Sequence, residues 1–156
     1  MPEMPLVAVV DDEESVREAL ARVLRACSFE VSVYASGQEF LDSLSRQRPD
    51  CVVTDFHMPG MSGRDVQREL VRSRQCVPLI LVTAHDVPTL RASVLAEGAA
   101  GYLTKPLRAE TLASAIAGAI RADAAMRVPA AAQVYTPVAG GAGGANESGS
   151  VDIRPG

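Results

Sequence analysis

Four short apolar runs in this chain each end in residues able to do chemistry. Leu6-Val-Ala-Val-Val10 leads into Asp11 and Asp12, and Cys51-Val-Val-Thr54 leads into Asp55. Leu79-Ile-Leu-Val82 leads into Thr83 and Ala84, and Gly101-Tyr-Leu-Thr104 into Lys105 and Pro106. In an open α/β sheet, ligands bind beyond the carboxyl ends of the strands. Three carboxylates, a hydroxyl and an amine are therefore placed to converge on one spot. Carboxylates about 5 Å apart repel by roughly 3 kcal/mol per pair at an effective dielectric near 20. Such a cluster is tolerable with a cation bound or with a carboxyl pKa raised. A few hard oxygen ligands, with positions left for water and phosphate, suit Mg²⁺ better than a softer metal. An aspartate beside that ion, faced by a hydroxyl and an amine, is equipped to attack phosphorus and become an acyl phosphate.

The amine stands out by composition. The chain has fourteen arginines and a single lysine, Lys105. Its surface charge is served by arginine, so a lone compact ammonium marks a position that needs one charge aimed at one oxygen. The other members are weaker singly. Asp11-Asp12 ahead of Glu13-Glu14 is also an ordinary acidic helix start. Asp55 before Pro59-Gly60 is also an ordinary turn residue, and a strand-end Thr83 often only caps the next helix. All four at four strand ends form the joint signal.

The segments between them alternate strand and helix five times. The first strand is expected at Leu6–Val10. A helix at Glu14–Ala26 follows, with Val16, Leu20, Val23, Leu24 and Cys27 on one face. The second strand alternates, with Phe29, Val31 and Val33 on one side and Glu30, Ser32 and Tyr34 on the other. The second helix is expected at Gly37–Arg46 with Ser36 as N-cap. A strand at Cys51–Thr54, the Pro59-Gly60-Met61-Ser62-Gly63 turn and a helix at Arg64–Arg72 come next. The fourth strand is Leu79–Val82. The fourth helix starts at Pro88 and ends at Gly98, a suitable C′ residue. A strand at Ala100–Leu103 and a helix at Ala109–Asp123 complete the pattern. Strands 1, 3 and 4 are continuous apolar runs, as strands covered on both faces are, while strands 2 and 5 have edge character. The fold expected is a flavodoxin-like, doubly wound α/β protein: a five-stranded parallel sheet of order 2-1-3-4-5 with helices on both faces. Its switch point lies between strands 1 and 3, where Asp11, Asp12 and Asp55 sit.

Composition bounds the remainder. At 156 residues, 47% of them hydrophobic, the chain is expected to hold one folded domain over 1–125. The Gly/Ala/Pro-rich segment 126–156, which lacks periodicity and large apolar residues, is expected to be a flexible tail. A net charge of -4 argues against direct binding to nucleic acid. No apolar run reaches membrane-spanning length, and Met1–Pro5 has no signal-peptide pattern. Cys27, Cys51 and Cys76 are an odd set without metal-ligand spacing, expected to be reduced, buried and inert thiols in a cytoplasmic protein.

Asp11-Asp12, Asp55 with Met58-Pro-Gly-Met-Ser-Gly63, Thr83-Ala84 and Lys105-Pro106 resemble the signature of response-regulator receiver domains, in order and at their spacings over about Leu6–Ala122. The stretches around Asp86-Val-Pro88 and Ala99–Pro106 are similar to receivers of nitrogen-fixation-type transcriptional regulators. The resemblance implies that Asp55 accepts a phosphoryl group from the phosphohistidine of a sensor histidine kinase or phosphotransfer protein. It implies Mg²⁺ held by Asp12, Asp55 and the backbone carbonyl of His57, with Asp11 acting through water. Lys105 would pair with Asp55 and then with a phosphoryl oxygen, and the Lys105–Pro106 peptide would be cis. Thr83 and Tyr102 would be the switch pair, with Tyr102 following Thr83 inward. The face of helix 4, strand 5 and helix 5, carrying Arg91, Glu97, Arg108 and Arg121, would serve output or homodimer formation. Helix 1 and the loop edge near Asp55 would dock the phosphoryl donor.

His57 and His85, the only histidines, each lie two residues past a site residue, and are expected to set acyl-phosphate lifetime. The loop Thr83–Pro88 is one residue shorter than in the receivers it resembles most. The reading favoured is a single-domain response regulator, a signalling protein and not an enzyme. Its rivals are a receiver fragment of a longer DNA-binding regulator, a phosphorylation-independent adaptor and an aspartyl-nucleophile phosphohydrolase. The last would want a second aspartate where His57 stands and a cap insertion that no loop here is long enough to supply.

Overall fold

A computed structural model describes residues 4–126. Five parallel strands form one sheet in the order β2-β1-β3-β4-β5. The strands are β1 (Leu6–Val10), β2 (Glu30–Tyr34), β3 (Cys51–Asp55), β4 (Leu79–Thr83) and β5 (Gly101–Thr104). The helices α1 (Glu14–Ala26), α2 (Gly37–Ser43), α3 (Gly63–Arg72), α4 (Pro88–Ala96) and α5 (Ala109–Met126) alternate with them. Both the class and the strand order expected are thereby realised.

The sheet has an apolar layer on each face. Ala8, Val10, Val52, Leu79 and Leu81 pack with Phe40, Val66, Leu70 and Val94 of α2, α3 and α4. Val7, Val9, Val53, Ile80 and Val82 pack with Leu24 of α1 and Leu112, Ile116 and Ala119 of α5. Burial of β1, β3 and β4, complete but for Leu6 and Asp55, explains why those strands are apolar up to their carboxyl ends. Register aligns the strand ends: Val10 pairs with Thr54, Asp55 with Val82, and Thr83 with Thr104.

Several boundaries move, for local reasons. α2 ends at Ser43 and not at Arg46. The Ser43 hydroxyl donates to the Phe40 carbonyl at 2.6 Å, and the Leu44 and Arg46 N–H groups take three-residue bonds to Leu41 and Ser43, which tightens the final turn. α5 continues past Asp123 through Ala124 and Ala125 to Met126, alanine being the strongest helix former. The apolar cover over β2 reaches Phe29 and Val31 but stops short of Val33 on the same side, which is 45% exposed. On α1 the innermost residues are Ala21 and Leu24, while Val16, Leu20, Val23 and Cys27 are half-buried.

The two caps expected are found, and a third was not expected. Ser36 accepts from the Glu39 N–H at 3.1 Å, and Gly98 follows α4 with φ +107°. Ser62 and Asp65 form a reciprocal capping box at the start of α3. No helix among the described residues is long and apolar enough to cross a membrane. All three cysteines are free thiols, but only Cys51, inside β3, is buried as expected; Cys27, at the end of α1, is half-buried and Cys76, in the loop ahead of β4, is exposed. Among the described residues the compact unit runs through Asp123. Apart from Met126, the segment 126–156 expected to be a tail lies outside the described residues.

Candidate functional site

The ends of β1, β3 and β5 bring three charged groups together. The Lys105 ammonium lies 2.9 Å from Asp55 Oδ1 and 3.9 Å from Asp11 Oδ2. Its aim is fixed by the backbone, because the Lys105 N–H donates to the Thr83 carbonyl at 2.8 Å. The Lys105–Pro106 peptide is cis. The second oxygen of Asp55 accepts the His57 N–H at 3.1 Å. Asp55 therefore presents one oxygen to the amine and one to the loop that leads into α3.

Asp11 is nearly sealed from solvent at 3% exposure. Its Oδ1 accepts the Glu13 N–H at 2.9 Å, and Arg17 donates to its backbone carbonyl at 2.7 Å. Burial pushes the Asp11 carboxyl pKa up. The Glu13 N–H and the Lys105 charge oppose that rise, and the neighbouring Asp55 and Asp12 charges add to it. Burial alone would lower the Lys105 pKa, but the hydrogen bond to Asp55 and the Asp55, Asp11 and Glu13 charges outweigh it, so the net direction is up. Asp12 lies beside this pair and is exposed. One ammonium thus stands against three carboxylates.

That donor set fits a hard divalent cation. Carboxylate oxygens are acceptors only, and desolvated like charges leave a deficit that a cation would fill. Among the described residues no three Asp, Glu, His or Cys side chains are grouped to chelate a metal. A cation here would be completed by backbone and water oxygens, as suits Mg²⁺.

Thr83, 1% exposed, closes β4. Its hydroxyl both accepts the His85 N–H and donates to the His85 carbonyl, each at 3.2 Å, and so ties down the short loop ahead of α4. Tyr102 is already inside the fold at 5% exposure. Its hydroxyl accepts the Val87 N–H at 3.3 Å. His57 is exposed, with its ring edge-on to Phe56 at 4.6 Å between centroids, and His85 is exposed on the β4–α4 loop.

Two residues that sequence reasoning missed also shape the site. Arg17 was hidden among the other arginines of α1. A Cβ on Gly63 would lie 2.5 Å from the Asp55 carbonyl oxygen, so only glycine lets α3 begin this close to β3; its place in a Pro-Gly turn suggested chain reversal instead.

Residues 7–117 match the family model described as the response regulator receiver domain. The chain belongs to that family. Response regulator protein TodT of Pseudomonas putida is 34% identical over 117 residues, 74% of this chain and 51% of that protein. A receiver domain from Clostridium thermocellum superposes with a TM-score of 0.74 at 30% identity, covering 79% of this chain and 99% of that one. Full-length FixJ from B. japonicum gives 0.73 at 29% identity, covering 84% and 63%. The chain spans about half the length of the curated relatives it matches. Receivers of two-component systems are phosphorylated, Mg²⁺-binding signal transducers that interact with histidine kinases or phosphotransfer proteins.

Proposed function

We propose that this receiver is a Mg²⁺-dependent phosphoacceptor switch, with Asp55 as acceptor and the phosphohistidine of a sensor histidine kinase or phosphotransfer protein as donor. The observation that carries the reading is the 2.9 Å pair between the only lysine and Asp55, set beside the buried Asp11 at the switch point of the sheet. An Asp55 oxygen bonds to phosphorus as the donor's P–N bond breaks. The electron pair stays on the imidazole nitrogen, which takes up a proton, and Asp55 becomes an acyl phosphate. Lys105 balances the carboxylate before transfer and a phosphoryl oxygen after it. Thr83 exchanges the His85 carbonyl for a phosphoryl oxygen. Asp12, Asp55 and the His57 carbonyl would hold Mg²⁺, with Asp11 acting through water. When bound, the ion neutralises phosphoryl oxygens.

In hydrolysis, water adds to phosphorus, the bond to Asp55 breaks, and inorganic phosphate leaves with the carboxylate restored. His57 and His85 flank the path of that water and set the lifetime of the acyl phosphate. The chain accepts and loses phosphate without a further domain, in the cytoplasm. It reports its state to a protein partner or a second copy through the α4–β5–α5 face, and makes no direct contact with nucleic acid. His57, at the place where a phosphohydrolase would carry its second aspartate, is edge-on to Phe56 and exposed, which favours a switch over a turnover enzyme.

Intact mass after incubation with acetyl phosphate and Mg²⁺ tests the reading. One added phosphoryl group is expected on the wild type, and none on Asp55→Asn or in the presence of chelator. Equal labelling of Asp55→Asn, or none on the wild type, overturns it. Replacing both histidines with alanine is expected to change the dephosphorylation rate, and an unchanged rate removes them from that role.

A further inference from the structure

We infer that Arg91 is a latch that holds Tyr102 inside the fold before any phosphoryl group is present, so that Arg91 sets the resting state of the output face. Tyr102 lies on an edge strand, where an aromatic is ordinarily half-exposed, yet it is 5% exposed. Its ring joins the apolar layer with Val94, Ala99 and Leu90. The Arg91 guanidinium caps the ring at 4.6 Å from its centroid, within the range of a cation–π contact. Arg91 is itself anchored, since Asp86 Oδ2 lies 3.4 Å from its Nη2. The Arg91 N–H donates to the Val87 carbonyl at 2.9 Å, and the Val87 N–H donates to the Tyr102 hydroxyl. Ring, loop and first turn of α4 are thus one bonded unit, whose far end is the Thr83–His85 pair.

The proposal rests on the phosphoacceptor reading in one respect only: the event compared with the resting state is phosphorylation of Asp55. If Arg91 already holds Tyr102 in, capture of a phosphoryl oxygen by Thr83 need not draw the ring inward. Protection of Tyr102 in the wild type is then the same with and without phosphate. A dependence on phosphate emerges when the latch is removed.

Nitration of the full chain by tetranitromethane, followed by peptide mapping, reads the position of the ring. Without acetyl phosphate, Arg91→Gln is expected to nitrate at Tyr102 about two- to fivefold faster than the wild type, the factor a partly exposed cation–π contact supports. Tyr34, on the opposite edge strand, keeps its rate. Arg91→Lys, which retains a cation, stays near the wild type, and Asp86→Asn moves in the direction of Arg91→Gln by less. Acetyl phosphate with Mg²⁺ then slows nitration of Arg91→Gln and leaves the wild type unchanged. Equal rates for wild type and Arg91→Gln, or a wild-type Tyr102 that nitrates as fast as in urea until phosphate is added, overturn the latch. Intact mass of the same samples reports phosphorylation of Asp55 separately. A chain that takes no phosphate sinks the phosphoacceptor reading while leaving the latch comparison legible.

Discussion

The close approach of α3 to the end of β3 is open to a direct test, the substitution Gly63→Ala. The added methyl would meet the Asp55 carbonyl oxygen at 2.5 Å, the Asp55 carbonyl carbon at 3.2 Å and Leu81 Cδ1 at 2.6 Å. Two of these atoms are backbone, and Leu81 is 1% exposed, so no flexible side-chain end can yield. The Gly63 N–H also donates to the Phe56 carbonyl at 3.0 Å, which prevents the helix start from backing away freely. Overpacking of this kind costs about 1–3 kcal/mol, and the backbone clash puts Gly63→Ala toward the upper end. At a urea slope near 2 kcal/mol/M, the unfolding midpoint falls by about 1–1.5 M. The displaced atom belongs to the proposed acceptor residue, so labelling by acetyl phosphate falls with it. A 1 Å misplacement costs on the order of a hundredfold, and a shift of a few tenths of an ångström corresponds to about tenfold or less by the same scale. Gly60→Ala is the control. Gly60 has φ +80° and nothing within 4 Å of an added Cβ, so that substitution costs about 1 kcal/mol of backbone conformation and leaves labelling unchanged. Intact mass against time and urea unfolding are run on both variants. Equal losses of stability with wild-type labelling in each would show that the approach of α3 to Asp55 does not position the acceptor.

Two further outcomes concern charge. The Asp11 carboxyl has its pKa raised above 3.8, chiefly by burial. It therefore binds its proton more tightly folded than unfolded, so its favourable contribution is complete below about pH 3.8 and lost as pH rises through the raised value. At pH 7 the charge is a net cost, and Asp11→Asn is expected to raise the urea midpoint there, with the difference closing near pH 3; a less stable variant at pH 7 refutes the assignment. Glu97 behaves oppositely: hydrogen bonds from Arg64 and Arg68 hold its pKa down at about 2 from 4.5. Its contribution is present above pH 4.5 and lost as pH falls toward 2, so the gap in stability between wild type and Glu97→Gln is expected to shrink between pH 6 and pH 3. A gap that does not change with pH would mean that the bridge between α3 and α4 carries no folding energy.

The sheet order was legible because coverage leaves a mark on sequence. Strands buried on both faces are apolar up to their carboxyl ends, whereas β2, on an edge, carries Glu30 and Ser32 among its valines. Asp55 and Lys105 were legible because parallel strands bring their carboxyl ends to one edge, so that a strand-end residue has a known neighbourhood from sequence alone. Contacts between helices have no such rule. Arg64 donates to Glu97 and to Ser93, Arg68 donates to the same carboxylate, and the buried Gln67 donates to the Glu97 carbonyl at 3.1 Å. These pairs depend on how far α3 and α4 are turned about their axes, which periodicity gives only to within a face. Arg91 over Tyr102 escaped for the same reason. Element ends were misplaced where side chains intervene: the Ser43 hydroxyl shortened α2, and the two alanines after Asp123 lengthened α5.

A single ammonium serving two carboxylates at unequal distances imposes an order on the proposed switch. Lys105 is committed to Asp55 at 2.9 Å and lends Asp11 only a 3.9 Å attraction, so Asp11, whose carboxyl pKa is pushed up chiefly by burial, is the less compensated member. Phosphorylation of Asp55 would replace one negative charge by about two while leaving the lysine unchanged. The added repulsion falls first on Asp11, the least solvated carboxylate, and only a cation within reach of Asp11, Asp12 and Asp55 can offset it. A divalent cation, the Mg²⁺ proposed for this site, would supply that offset. An arginine at position 105 would leave that count the same, but its planar fork needs two aligned acceptors, and one Asp55 oxygen is already taken by the His57 N–H. A compact ammonium meets one oxygen at a time and can change partners without reorienting a plane, which is the physical reason for a lone lysine in a chain otherwise charged by arginine.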